Sequence, residues 1–151
     1  MLVFFVIQIV LLLCQNDAHA AAYEYNKNSD LIGELQFHTV RSGDTWESLG
    51  YYYDVGYDEL RDANPHVRKL AANIGKEIVI PTLHILPEKD DRYGIVVNLA
   101  EKRLYYFPKD LDIVYTYPIS IGKSGWQTPR FNGSVVRKKV APTWYVPKSI
   151  S

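Results

Sequence analysis

At Tyr93 the hydrophobic repeat of this chain changes period, and that change limits what the chain can fold into. Upstream, Trp46, Leu49 and Tyr53 recur at three- and four-residue steps, the spacing that lines one face of a helix. Downstream, Ile95, Val97 and Leu99 alternate with Val96 and Asn98. Further on, Ile113, Tyr115, Tyr117, Ile119 and Ile121 alternate with Val114, Thr116, Pro118 and Ser120. That second period, two, belongs to strands. The chain therefore reads as α+β, with a small mixed module followed by a β-rich one. Charge divides at nearly the same place. Residues 33–82 carry eight acidic and five basic side chains, residues 83–151 six acidic and eleven basic, and the total over all 151 residues is zero.

The mixed module runs over residues 36–82. Gln36-Phe37-His38-Thr39-Val40 alternates toward a short strand, and Arg41-Ser42-Gly43-Asp44 follows as a turn. Asp44-Thr45-Trp46-Glu47 reads as a capping box, with Asp44 as the cap and Glu47 reaching back, so a helix is expected from there to about Asp54. Val55-Gly56 interrupts the pattern. A second helix is expected from Tyr57 to Ala63, closed by Asn64-Pro65. After a loop through Ile74-Gly75, Glu77-Ile78-Val79-Ile80-Pro81 reads as the second strand. Residues 83–93, with Pro87 and the charged run Glu88-Lys89-Asp90-Asp91-Arg92, read as a linker belonging to neither core.

In the β-rich module three strands are expected, the last spanning residues 113–121. Ala100-Glu101-Lys102 turns the first hairpin and Pro108-Lys109-Asp110 the second. Pro118 cannot donate to a ladder, so its strand is an edge there or is bulged. Ser134 to Val140 reads as a fourth strand after a loop broken by glycine and proline. Its Arg137-Lys138-Lys139 run is read as a solvated face; no nucleic-acid-binding motif accompanies it, and nucleic acid is not expected as a partner.

The amino terminus points to export. Leu2 to Leu13 is apolar except for Gln8, too short for a hydrocarbon core of about 30 Å but suited to the apolar region of a signal peptide. Ala18-His19-Ala20 supplies small residues three and one positions before a cut, so residues 1–20 are expected to be removed and the chain to begin near Ala21. Cys14 follows Leu13 rather than a small residue, which disfavours lipid attachment. It is the sole cysteine, so the mature chain is expected to hold no disulfide and to rely on burial. Periplasm or cell wall is the expected location. No histidine, cysteine or carboxylate spacing suggests a metal, and no cofactor is expected.

The mixed module resembles the LysM domain, a βααβ module that binds glycans containing N-acetylglucosamine. The resemblance is carried by His38-Thr39-Val40-Arg41-Ser42-Gly43-Asp44-Thr45, by Leu60, by Asn64-Pro65 and by Gly75-Lys76-Glu77-Ile78-Val79-Ile80-Pro81. It implies a glycan groove between the loop at Ser42 to Thr45 and the loop ending at Ile74-Gly75, so Gly43, Asp44, Thr45 and Ile74 are the candidate glycan-binding residues. Gly43 as a tight turn and Asp44 as a helix cap would occur there even without sugar.

Residues 94–151 resemble the first part of the L,D-transpeptidase (YkuD-like) catalytic domain. The residues concerned are Gly94-Ile95-Val96-Val97-Asn98-Leu99-Ala100-Glu101, Arg103-Leu104-Tyr105-Tyr106-Phe107-Pro108, Ile121-Gly122, Gly125-Trp126, Thr128-Pro129 and Pro142 to Ile150. The resemblance implies the opening strands of an incomplete β-sandwich-like domain, and a family that remodels peptidoglycan through a cysteine thiolate. In that chemistry the thiolate attacks a diaminopimelate carbonyl in a tetrapeptide, D-alanine leaves, and the acyl group passes to an amine on another stem peptide or on a lipoprotein lysine. The family's His-Gly and Ser-x-Gly-Cys-x-Arg elements do not occur in these 151 residues, and no catalytic residue is assigned. The expected partners are peptidoglycan glycan strands and stem peptides, with a lipoprotein possible only for a complete enzyme. The expected reading is a transpeptidase chain cut short and inactive as it stands; the alternative is a non-catalytic LysM peptidoglycan-binding protein. Alone, the β-block would bury little surface and expose a strand edge.

Overall fold

The structure is a computed structural model that describes residues 21–123 and 125–146. The expected leader over residues 1–20 lies outside the described residues, as does the end of the β-block from Pro147 onward. In chain order the elements are β1 (Ala21–Glu24), β2 (Leu31–Ile32), β3 (Gln36–Thr39), α1 (Trp46–Tyr53), α2 (Tyr57–Ala63), a short 3-10 turn (Leu70–Ala72), β4 (Glu77–Ile80), β5 (His84–Ile85), a second 3-10 turn (Lys89–Asp91), β6 (Gly94–Asn98), β7 (Arg103–Phe107) and β8 (Ile113–Pro118).

β3 and β4 pair antiparallel, from Gln36 opposite Ile80 to Thr39 opposite Glu77, with both helices between them in sequence. This is the expected strand, helix, helix, strand order. Trp46 and Leu49 turn inward from α1 and join Val40, Val55, Leu60, Val67, Leu70, Ile78 and Ile80 in one core, against which Tyr53 packs. The cap of α1 differs from expectation. Thr45, not Asp44, is the N-cap, and the reciprocal bonds run between Thr45 and Ser48 rather than between Asp44 and Glu47. Asp44 is drawn away because its carboxylate closes the preceding turn on the Arg41 N–H at 2.7 Å. α2 follows the expected bounds. Asn64 at its end is buried and donates to Leu60 O and Val79 O while accepting from the Val79 N–H, so one amide presents β4 with what a neighbouring strand would offer.

The β-rich block forms a four-stranded antiparallel sheet in the order β1-β8-β7-β6. Both expected hairpins are present, β6 with β7 and β7 with β8, and Lys102 and Asp110 take positive φ where the chain reverses. The third strand stops at Pro118 rather than at residue 121. Pro118 faces Arg103 across the ladder, and the bonding group on that side is the Ile119 N–H, which reaches Lys102 O at 2.8 Å. The proline nitrogen thus points away from β7, and its missing proton takes no bond from the β7–β8 ladder. The expected fourth strand is absent. Residues 122–146 form a separate unit without strand or helix among the described residues, held locally by Gly122 N–H to Thr128 Oγ1 and Trp126 N–H to Lys123 O, both 2.8 Å. Val135 and Val136 are adjacent rather than alternating and are followed by three cations, so this segment offers no apolar face to bury.

Two segments outside both modules complete the β-block. β1 adds an edge strand beside β8, from Ala21 opposite Thr116 to Glu24 opposite Ile113. Tyr23 and Tyr25 then pack against the core of Ile32, Leu86, Tyr105, Phe107 and Val114. The stretch read as a linker belonging to neither core is instead packed: His84–Ile85 pairs with Leu31–Ile32, and Leu86 is buried. Arg92 from the same stretch donates to Pro87 O, Ser29 O and Asp30 Oδ1. Apolar residues spaced among charges in residues 83–93 find a partner in the preceding segment, which is why composition alone misplaces them. Gly33 sits at the crossing with φ +73°, and a Cβ there would lie 2.0 Å from Thr82 O, so only glycine lets the two backbones meet.

Arg103 of β7 joins the two modules. It is wholly buried, and its guanidinium donates to Thr116 Oγ1 at 3.1 Å, to Asp54 O at the end of α1 at 3.2 Å and to Glu59 Oε2 of α2 at 3.0 Å. Beside it, burial and then the Arg103 charge push the His84 imidazole down to about 4. His84 is therefore neutral near pH 7, and its 3.8 Å approach to Glu59 is a contact rather than an ion pair.

Replacing Arg103 leaves Glu59 partly buried without its cation. Arg103→Met is expected to cost about 2–4 kcal/mol in urea unfolding, and adding Glu59→Gln is expected to recover part of that loss. A second expectation concerns pH. The unfolded imidazole titrates near 6.5 and the folded one near 4, so between those values protons bind the unfolded chain preferentially. Stability is complete above pH 6.5 and falls as pH drops toward 4; calorimetry should show this slope, and His84→Gln should flatten it.

Candidate glycan-binding site

The expected glycan residues come from two loops held on either side of Val40. The Val40 N–H donates to Lys76 O and its carbonyl accepts from the Gly75 N–H, both at 2.9 Å, so the loop carrying Ile74 is tied to the residue that opens the loop carrying Gly43 to Thr45. Gly75 turns that loop with φ +82°. Gly43 has φ +92°, and a Cβ there would touch nothing within 4 Å, so its role is backbone conformation at an open surface.

Asp44 is the organiser of the first loop. Its Oδ2 accepts from the Arg41 N–H, and its own N–H returns to Arg41 O at 3.2 Å, closing the turn from both directions. The same Oδ2 lies 2.8 Å from His38 Nε2, while His38 Nδ1 lies 3.0 Å from the Tyr53 hydroxyl. The Arg41 N–H, with the His38 ring behind it, holds the Asp44 carboxyl below the usual carboxylate range. Through this Asp44, His38, Tyr53 relay the turn is fastened to α1, which lies beneath it. Thr45 caps α1 with its hydroxyl oxygen and exposes the rest of its side chain.

Ile74 is 54% exposed, one of several aliphatic side chains at the surface of this protein. The two loops together therefore present an apolar side chain beside a turn rich in backbone amides and a threonine. Such a surface suits a ligand with an apolar face and polar edges, as pyranose rings have. The structure brings all four expected residues onto this pair of loops. From the sequence His38 reads only as part of the first strand; its link between Asp44 and the Tyr53 hydroxyl, fifteen positions away, is one that no local spacing signals. Among the described residues no cluster of three or more histidines, cysteines or carboxylates could hold a metal ion, and no helix is long and apolar enough to cross a membrane.

Comparison with known proteins assigns both modules. Residues 38–81 match the LysM domain, and residues 92–151 match the L,D-transpeptidase catalytic domain, YkuD. The chain is 40% identical over 119 residues to the probable L,D-transpeptidase YcfS of Escherichia coli strain K12, a match covering 77% of this chain and 37% of that protein. It is 40% identical over 121 residues to the probable L,D-transpeptidase ErfK/SrfK of the same strain, covering 78% and 39%. With the putative L,D-transpeptidase YkuD of Bacillus licheniformis it shares 31% identity over 111 residues, covering 72% and 64%. The chain thus spans less than two fifths of the length of these two Escherichia coli relatives. Residues 92–151 are thus similar to the L,D-transpeptidase catalytic domain, and residues 38–81 to the LysM domain.

Proposed function

We propose that this chain is the wall-holding and sheet-forming part of an exported peptidoglycan L,D-transpeptidase. The glycan strand is held by Gly43, Asp44, Thr45 and Ile74, while the β1-β8-β7-β6 sheet is the frame on which the transfer chemistry of the complete enzyme is built. The carrying observation is the pair of loops tied through Val40, which sets an exposed aliphatic side chain beside a rigid turn. The outer face of the sheet supports the second half of the reading. Ile95, Val97 and Tyr106 are exposed there, an apolar surface suited to being covered by further strands. Export is supported by the apolar run from Leu2 to Leu13 and by Ala18-His19-Ala20. Stem peptides would be the donor, and another stem peptide or a lipoprotein lysine the acceptor, of the complete enzyme.

The second reading is a glycan-binding protein without catalysis. Reading the gene past codon 151 separates the two, because a Ser-x-Gly-Cys-x-Arg stretch there belongs only to the first.

Mature protein is expected to be retained on purified peptidoglycan. Ile74→Asp should weaken that retention about tenfold or more, since the apolar contact is lost and a charge is added, and should leave thermal stability unchanged because the residue is exposed. Absence of retention by folded protein would reject the binding role. These 151 residues should release no D-alanine from a tetrapeptide substrate, and release above background would contradict the assignment of the nucleophile to a part of the enzyme outside them.

A further inference from the structure

The backbone N–H of Ala21 donates to Asp54 Oδ2 at 3.0 Å. Ala21 is also the first residue of β1, paired with Thr116, and the residue that follows Ala18-His19-Ala20. Asp54 closes α1 in the left-handed region, with φ 56°, and its own N–H returns to Gly50 O. α1 has no basic residue in its last turn. A helix C-terminus carries about half a negative charge, so a cation beside Asp54 is favoured by the carboxylate and by the helix together. Arg103 of β7 lies on the Asp54 carbonyl, and Glu59 of α2 on Arg103.

We infer that Asp54 is the seat of a free amino terminus created by cleavage of the Ala20–Ala21 bond, so that removal of the leader tightens the junction between the LysM domain and the sheet. The inference rests on the export reading above. In the cleavage step water supplies its oxygen to the Ala20 carbonyl, the C–N bond breaks, and both water protons end on nitrogen. Ala20 leaves as a carboxylate and Ala21 becomes an α-ammonium. Before the cut Asp54 Oδ2 accepts from a neutral amide; afterwards it accepts from a cation, and hydrogen bonds with an ionised donor are roughly twice as strong. β1 lies against β8, β8 carries Thr116, and Thr116 Oγ1 accepts from Arg103, so strengthening the first residue of β1 strengthens the contacts that Arg103 organises. Processing thereby couples arrival outside the cytoplasm to completion of the fold.

The test uses the full chain expressed with its leader and recovered after export. Its amino-terminal sequence is expected to begin Ala-Ala-Tyr-Glu. Selective acetylation of the α-amine, which removes the charge and keeps an N–H donor, is expected to lower the melting temperature by about 2–5 °C. In Asp54→Asn, which keeps a residue tolerant of the left-handed backbone, acetylation is expected to leave the melting temperature unchanged. A start at any other residue overturns the inference, and an uncut, unexported chain overturns the export reading with it. A start at Ala21 with equal acetylation effects in both proteins overturns the seat alone and leaves export standing.

Discussion

The buried guanidinium of Arg103 is the contact on which the arrangement of this protein depends. It takes a hydroxyl from its own sheet, a carbonyl from the end of α1 and a carboxylate from α2. Burying a charge so deeply is costly unless each bond is well made, and the net contribution of such a cluster to stability is often small. What it supplies is position. The LysM helices cannot rotate on the sheet without stranding the arginine, Glu59 or both. Neutral His84 fits the same logic, because a second cation beside Arg103 would weaken the hold on Glu59.

This clamp gives the two loops held by Val40 a fixed place relative to the β-sheet. Asp44 fixes the turn, His38 and Tyr53 fasten the turn to α1, and the end of α1 is held by Arg103. From the exposed Ile74 loop to the sheet, the links run through backbone and side-chain hydrogen bonds. On the function proposed above, a module holding a glycan strand beside a domain that acts on attached peptides would gain from such rigidity, since effective concentration depends on the geometry between the two sites.

Much of this was legible in the residues. The shift of hydrophobic period at Tyr93 separates the two modules, Trp46, Leu49 and Tyr53 mark the buried face of α1, and the hairpins fall where alternating runs are broken by turn residues. What escaped the reading is long-range. Ala21-Ala22-Tyr23-Glu24 shows no alternation of polar and apolar residues, and four residues after an apolar run do not announce a strand that pairs nearly a hundred positions away. Residues 83–93 look like a linker because their charges dominate, and only the partner segment reveals Leu86 and His84 as core. Arg103 sits within a β-prone run where an arginine ordinarily faces water. Its burial depends on Glu59 and Asp54, which no periodicity connects to it. The cap of α1 went to Thr45 because Asp44 had a stronger local use, a competition that a motif alone does not decide.

Arg103 makes the LysM domain and the sheet one rigid body. Residual dipolar couplings for backbone amides of α1 and α2, and separately for β7 and β8, measure this. One alignment tensor should fit both sets, and two different tensors should be needed once Arg103 is replaced by Met in a chain that remains folded. Two tensors in the unmodified protein would show that the helices and the sheet move independently.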